Sequence, residues 1–362
     1  MRFPGFEGEW ESRKIGEDCS VLMCKRIFAH QTSEQGDVPF YKIGTIGAEP
    51  DAYISKELFE EYKAKYNYPH KGEVMVTCAG TVGKTIVFDG RDSYYQDSNI
   101  VWLSNPKQLY INSFLNYFLS RVNWNKLNST TITRIYNDNL RELVIKYPSI
   151  KEQEKIVSLL SLLDQRVAVQ NKVIEKYESL IKALRRHIFS TIESEKEVTI
   201  ADVLSYEQPT KYIVSDTEYS DNNGLTPVLT ANKAFILGYT EEVDGVYDKG
   251  PCIILDDFTL DSKIVDFPFK VKSSAIKILS AKEAVSLRYI FEYLKFLNLN
   301  TEEHKRHYIA EIEPMTMELP DEATIRSISN LFERADLRRE GLERDLHLLE
   351  KQKDYLLRAL FI

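Results

Sequence analysis

Four cysteines in 362 residues, at positions 19, 24, 78 and 252, are too few and too irregularly spaced for a disulfide framework or a zinc site. Reduced thiols are expected. No apolar run approaches the roughly 18 residues of a membrane span. The opening MRFPGFEGEW has no charged-then-apolar leader pattern, so a cytoplasmic location is expected. Catalytic signatures are scarce too. There is no Asp/Asn-Pro-Pro-aromatic tetrapeptide of the kind that methylates adenine. There is also no Gly-x-Ser-x-Gly elbow and no convincing nuclease carboxylate cluster. The sequence thus offers no catalytic constellation, and no cofactor bound by this chain is expected.

An excess of positive charge is also lacking. The formal net charge is −8, and residues 196–319, with 13 basic and 21 acidic side chains, carry all of it; residues 1–147 balance 18 against 18. Any contact with nucleic acid must therefore use local basic patches or a partner's charge.

Three short motifs invite chemistry and fail. Gly80-Thr81-Val82-Gly83-Lys84-Thr85 has Cys78 where a phosphate cradle needs glycine. Asp321-Glu322-Ala323-Thr324 resembles a helicase box but opens a helix, where acidic residues are favoured. His304 and His307 have no third ligand near them in the sequence, so metal binding is not expected.

What the sequence does contain is an internal repeat. Pro148–Phe189 and Pro320–Phe361 align without a gap at an offset of 172, with Ile156, Leu159, Asp164, Arg166, Glu178, Leu184 and Arg186 recurring as Ile328, Leu331, Asp336, Arg338, Glu350, Leu356 and Arg358. In the first copy Ile156, Leu160, Leu163, Val167, Gln170, Ile174, Tyr177, Ile181, Leu184 and Ile188 follow a heptad seam. In the second the seam is Ile328, Phe332, Ala335, Arg339, Leu342, Leu346, Leu349, Lys353, Leu356 and Leu360. Ser149 with Glu152 predicts a capping box for the first helix, and Asp321 a cap for the second. Gln170, Arg339 and Lys353 are polar seam positions. They either set register or face another subunit.

Fainter similarity links the intervening segments. Lys71–Val76 resembles Lys249–Ile254, Ser98–Ser104 resembles Ser274–Ser280, and each is followed by a helix-like stretch, Ile111–Leu119 and Leu287–Leu294. The expected fold is α+β: two strand-rich mixed globular heads joined by two long helices. The expected boundaries are 1–147 for the first head, 148–192 for the first spacer helix, 193–319 for the second head and 320–362 for the second helix. A helix of about 42 residues is ~63 Å long, whereas a head of this size has a radius of gyration near ~14 Å. The second head is too small to return the chain along a parallel helix. The helices are therefore expected to run antiparallel as a coiled coil, with internal pseudo-twofold symmetry.

Both heads are rich in side chains that read base edges or grip phosphates. In the first these are Thr81, Lys84, Tyr94, Tyr95, Gln96, Asn99, Thr131 and Arg134. In the second they are Lys263, Lys270, Lys272, Ser273, Lys305 and Arg306. A double-stranded DNA target is one reading. A two-headed protein–protein scaffold and a nucleotide-dependent enzyme using Lys84 are the alternatives.

The chain resembles the specificity subunits of type I restriction–modification enzymes. The residues that carry the resemblance are Phe3–Trp10, the Lys71–Lys84 run, the helix around Glu152-Gln153-x-Lys155-Ile156 through Asp164, Tyr206–Tyr212 and Phe267–Ser274. The resemblance implies recognition of a bipartite DNA site, one half per head. It also implies two modification subunits docked on the helices, adenine methylation with S-adenosylmethionine held by those partners, and restriction subunits in some systems. The second head departs from the first in having no counterpart of Gly83-Lys84.

Overall fold

The structure is a computed structural model that describes residues 2–124, 134–231, 234–282, 285–299 and 305–361. It divides into two compact units, Met1–Gln170 with Asp345–Ile362, and Asn171–Arg344. Each long helix contributes to both.

The first unit contains β1 (Glu11–Lys14), α1 (Ile15–Asp18), β2 (Ser20–Leu22), β3 (Val38–Tyr41), β4 (Tyr53–Ile54), α2 (Lys56–Lys65), β5 (Val74–Thr77), β6 (Thr85–Val87), β7 (Tyr94–Tyr95), β8 (Ile100–Ser104), α3 (Asn112–Ser120), α4 (Asn137–Arg141), β9 (Val144–Tyr147) and the start of α5 (Ile150–Thr191). Its main sheet has the order β2-β8-β5-β6, a second sheet runs β4-β3-β7, and β1 pairs with β9. The central strands read as unbroken apolar runs because both their faces are covered. Val74, Val76, Val101 and Leu103 face one core with Phe114 and Leu115 of α3, while Met75, Ile100 and Trp102 face a second, aromatic core with Tyr94 and Phe59.

The second unit contains β10 (Lys196–Thr199), α6 (Ile200–Val203), β11 (Leu204–Glu207), β12 (Thr226–Leu229), β13 (Ile236–Thr240), β14 (Cys252–Asp256), β15 (Ser262–Val265), β16 (Lys270–Val271), β17 (Ile276–Ala281), α7 (Leu287–Leu297), β18 (Thr316–Leu319) and most of α8 (Glu322–Leu360). The sheets are β11-β17-β14-β15, β13-β12-β16 and β10-β18. Strand for strand, this is the topology of the first unit, down to the one parallel pair in the three-stranded sheet. The offset of 172 persists into β9 and β18.

Every expected seam position on α5 and α8 is buried or half-buried. In the first unit the opening turns of α5 share a core with the closing turns of α8, through Ile156, Leu160, Leu356 and Leu360. In the second unit the closing turns of α5 meet the opening turns of α8, through Phe189, Ile328 and Phe332. Each pairing is antiparallel. Asp321 caps α8, accepting from Thr324 N at 3.0 Å. The expected capping box on α5 is not formed. Glu152 is fully buried and takes Arg2 at 3.0 Å, because ion pairing offsets the cost of burying its charge. Gln153, also fully buried, does the anchoring. It accepts from Ile111 N at 2.8 Å and donates to Leu109 O and Pro148 O.

Candidate nucleic-acid interface

In the first unit three loops that the sequence singles out meet at Cys78. Its amide donates to Asn99 O at 2.7 Å, and its carbonyl accepts from Ile135 N at 2.9 Å. The β5–β6 hairpin loop, the segment around Gln96 and Asn99, and Arg134 are thereby held side by side. Gln96 Oε1 accepts from Ile43 N at 3.3 Å and draws in the 42–47 turn. Lys84 Nζ donates to Ile46 O in that same turn at 2.6 Å. Thr81 is exposed on the hairpin tip, and Arg134 lies over Tyr136.

Gly83 has a φ of +80°, and a Cβ there would lie 2.0 Å from Trp124 Cδ1, so only glycine fits the turn. Because this loop joins two antiparallel strands, it does not present the strand-to-helix geometry of a phosphate cradle. Burial pushes the Cys78 thiol up to about 11, which makes it an inert packing group.

Some expected contacts are corrected. Tyr94 and Tyr95 are 0% and 4% exposed and form the aromatic core; burial drives the Tyr95 hydroxyl up to about 12. They pair with β3, which turns their rings inward where DNA cannot stack on them. Lys270 is also buried, at 3% exposure, ion-paired to Glu242 at 2.8 Å and donating to Asp244 O at 2.6 Å. Thr131 lies outside the described residues, as does His304. Among the described residues no group of three His, Cys, Asp or Glu side chains could hold a metal, and no helix is long and apolar enough to cross a membrane.

The second unit repeats the three-way junction at Asp257. Its amide donates to Ala275 O at 2.8 Å, and its carbonyl accepts from His307 N at 3.2 Å. Where the first unit has a thiol, this one has a buried ion pair, Asp257–Lys277 at 3.1 Å. Lys272 and Ser273 are exposed just past β16, and Arg306 is exposed beside the junction. Lys305 pairs with Glu311 at 2.9 Å. Lys263 is half-buried, near Lys295 in a cavity between the head and the two helices.

The three polar seam residues differ from one another. Lys353 of α8 reaches across to Asp164 of α5 at 2.5 Å. Arg339 pairs with Glu343 at 2.9 Å on its own helix. Gln170 is half-buried in the seam.

Sequence reasoning missed the segment Lys25–Gln31, which adjoins the first junction because Arg26 Nε donates to Asp97 at 2.8 Å. Its signal was a Lys-Arg pair followed two and four residues later by Phe28 and His30.

Residues 7–179 match the family model described as the type I restriction modification DNA specificity domain. Over this part the chain is similar to the type I restriction–modification specificity subunits. Over 162 residues it is 49% identical to a Haemophilus influenzae protein assigned as type I restriction enzyme specificity subunit S.HindORF215P. That alignment covers 45% of this chain and 41% of the relative. Over 127 residues it is 42% identical to the Escherichia coli EcoR124I/EcoR124II specificity subunit, covering 33% and 31%. The chain thus spans less than half the length of these two curated relatives. The S subunit of a type I system from M. genitalium has the same fold across both chains, at 17% identity, 100% and 99% coverage and a TM-score of 0.61. The shared fold therefore extends through the second unit, beyond the family match.

Proposed function

We propose that this specificity subunit reads a two-part DNA sequence, one half with each head, and catalyses nothing itself. One observation carries the reading. Both units build the same three-way backbone junction, at Cys78 and at Asp257, on the same strand order, yet surround it with different exposed side chains. A repeated frame with divergent loops is what two different half-sites require, since base contacts specify while the frame only positions. In the first head the proposed contacts are Thr81, Lys84, Gln96, Asn99 and Arg134. In the second they are Lys263, Lys272, Ser273, Lys305 and Arg306.

The long helices dock two modification subunits, which carry the S-adenosylmethionine. The acidic balance of the chain fits this division of labour, because phosphate attraction dominates affinity and the partners can supply it. The full chain alone binds DNA weakly on this reading. Adenine methylation is to be mapped across the genome of a host expressing the chain with a type I modification subunit. A bipartite methylated sequence is expected, and replacing residues 1–147 with another head should change one half of it only. An unchanged pattern after the swap would sink the reading.

A further inference from the structure

The segment Lys25–Gln31 lies outside every contact proposed so far, and its construction is unusual. Phe28 is 53% exposed, its ring is stacked on His30 at 5.9 Å and 10°, and it immediately precedes the one-turn 3₁₀ helix Ala29–Gln31 that carries His30. The turn is fixed from within. Phe28 N donates to Gln31 Oε1 at 2.9 Å, and Thr32 Oγ1 donates to Ala29 O at 2.9 Å. A large flat apolar surface is thus held rigidly in water without covering any core. Two cations precede it. Lys25 is exposed over the Tyr66 ring, and the Arg26 side chain is 58% exposed while holding Asp97. Asp97 lies between Gln96 and Asn99, so this turn is continuous with the Cys78 junction.

We propose that Lys25–Gln31 is part of the DNA-reading surface of the first head. The stacked Phe28–His30 pair presses on a base step or a thymine methyl of the half-site, and Lys25 and Arg26 take the flanking phosphates. Apolar wedges of this kind are rigid and flat and sit beside phosphate-binding cations. The exposed pair is an expense to the free protein that contact with a base pair would offset. The inference rests on the proposed function and assigns a specificity-determining role to Phe28 that neither the family match nor the first list of contacts contains.

The test compares Phe28→Ala, His30→Ala and Phe28→Trp in the full chain, each expressed with a type I modification subunit and read by adenine methylation mapping. Phe28→Ala should slow methylation of the normal sites about tenfold, the scale of one lost base–aromatic contact. It should also broaden the tolerated sequence only in the half that moves with residues 1–147. His30→Ala should do the same more weakly, and Phe28→Trp should restore the normal pattern. Phe28 is exposed, so the melting midpoint should stay within about 2 °C, which separates the effect from unfolding. A Phe28→Ala variant with wild-type rate and pattern would overturn the proposal while leaving the proposed function standing. So would a variant that fails to assemble with the modification subunit, because the turn would then be a protein-docking surface. A wild-type chain that gives no bipartite pattern would remove both.

Discussion

The two units share a frame but join it to the helices by different chemistry. In the first, the helix repeat's Asp164 accepts from Tyr117 of α3 at 2.5 Å and from Lys353, Phe361 packs against Phe114, and the amide of Gln153 ties α5 to Ile111 and Leu109. In the second, the matching Asp336 accepts from Arg288 of α7 at 2.6 Å. Glu292, fully buried, then holds Arg288 and Arg185 at 2.7 Å each. The aspartate is the constant of the repeat, and what meets it is variable. A duplicated fold can thus keep its topology and one acceptor while that acceptor meets a buried ion network at one joint and a tyrosine hydroxyl and a lysine at the other. At the first joint the loss of the Tyr117 hydroxyl should cost little, because Asp164 is half-exposed and keeps Lys353. At the second, removing one charge should cost more, since it leaves the others buried and unpaired.

The largest expected effect tests this directly. Glu292→Ala should destabilise the second unit by about 3–5 kcal/mol, whereas Tyr117→Phe should cost the first about 1 kcal/mol. Urea unfolding followed by hydrogen exchange, resolved to residues 171–344 against the rest, reads both. Equal costs would erase the distinction between the joints.

Next comes the hairpin. Gly83→Ala meets both the positive φ and the Trp124 ring and should cost about 3 kcal/mol. Gly250→Ala, with a φ of +97° but nothing within 4 Å, should cost about 1–2 kcal/mol. Thermal melts of the two variants check the difference.

Acid should also separate the units. Burial acts to raise the Glu207 carboxyl, but hydrogen bonds from Lys249, Lys211 and Tyr212 win and hold it at about 2, below its ordinary 4.5. A carboxylate depressed by folding contributes stability above the unfolded value and loses it as pH falls through the folded one. About 1–2 kcal/mol should therefore drain from the second unit between about pH 4.5 and 2, after allowance for solvent screening. Glu207→Gln should flatten that part of the profile in a pH series of hydrogen-exchange measurements, and an unaltered profile would show that the triad contributes nothing.

The smallest effect concerns DNA. Lys272→Ala should weaken binding by the assembled complex almost equally for all sequences and lower the salt slope by about one, whereas Thr81→Ala should relax one position of one half-site. Binding isotherms at several salt concentrations distinguish a phosphate contact from a base contact.

Much of the frame was legible in the residues. The heptad seam came from periodicity, which burial enforces locally, the Asp321 cap from residue type at a helix start, and the offset of 172 and the matched strands at Val74–Val76 and Cys252–Ile254 from internal similarity. The candidate contacts were less legible. A Tyr-Tyr pair followed by Gln, Asp, Ser and Asn looks the same whether its rings face water or core, and strand pairing to β3 decided for the core. Lys270 resembled a surface cation until Glu242 and the Asp244 carbonyl closed over it. Glu152 had the spacing of a capping residue, but Arg2, 150 positions away, claimed it.

The sequence by itself determined the repeated architecture, since a seam every three or four residues and a gapless duplicate leave few ways to bury their apolar faces. Only the tertiary structure decided which polar groups reach the surface. That choice depends on long-range partners such as Cys78 with Asn99 and Ile135, or Asp257 with Lys277, and no local pattern encodes which distant segment will satisfy a hydrogen bond or a charge.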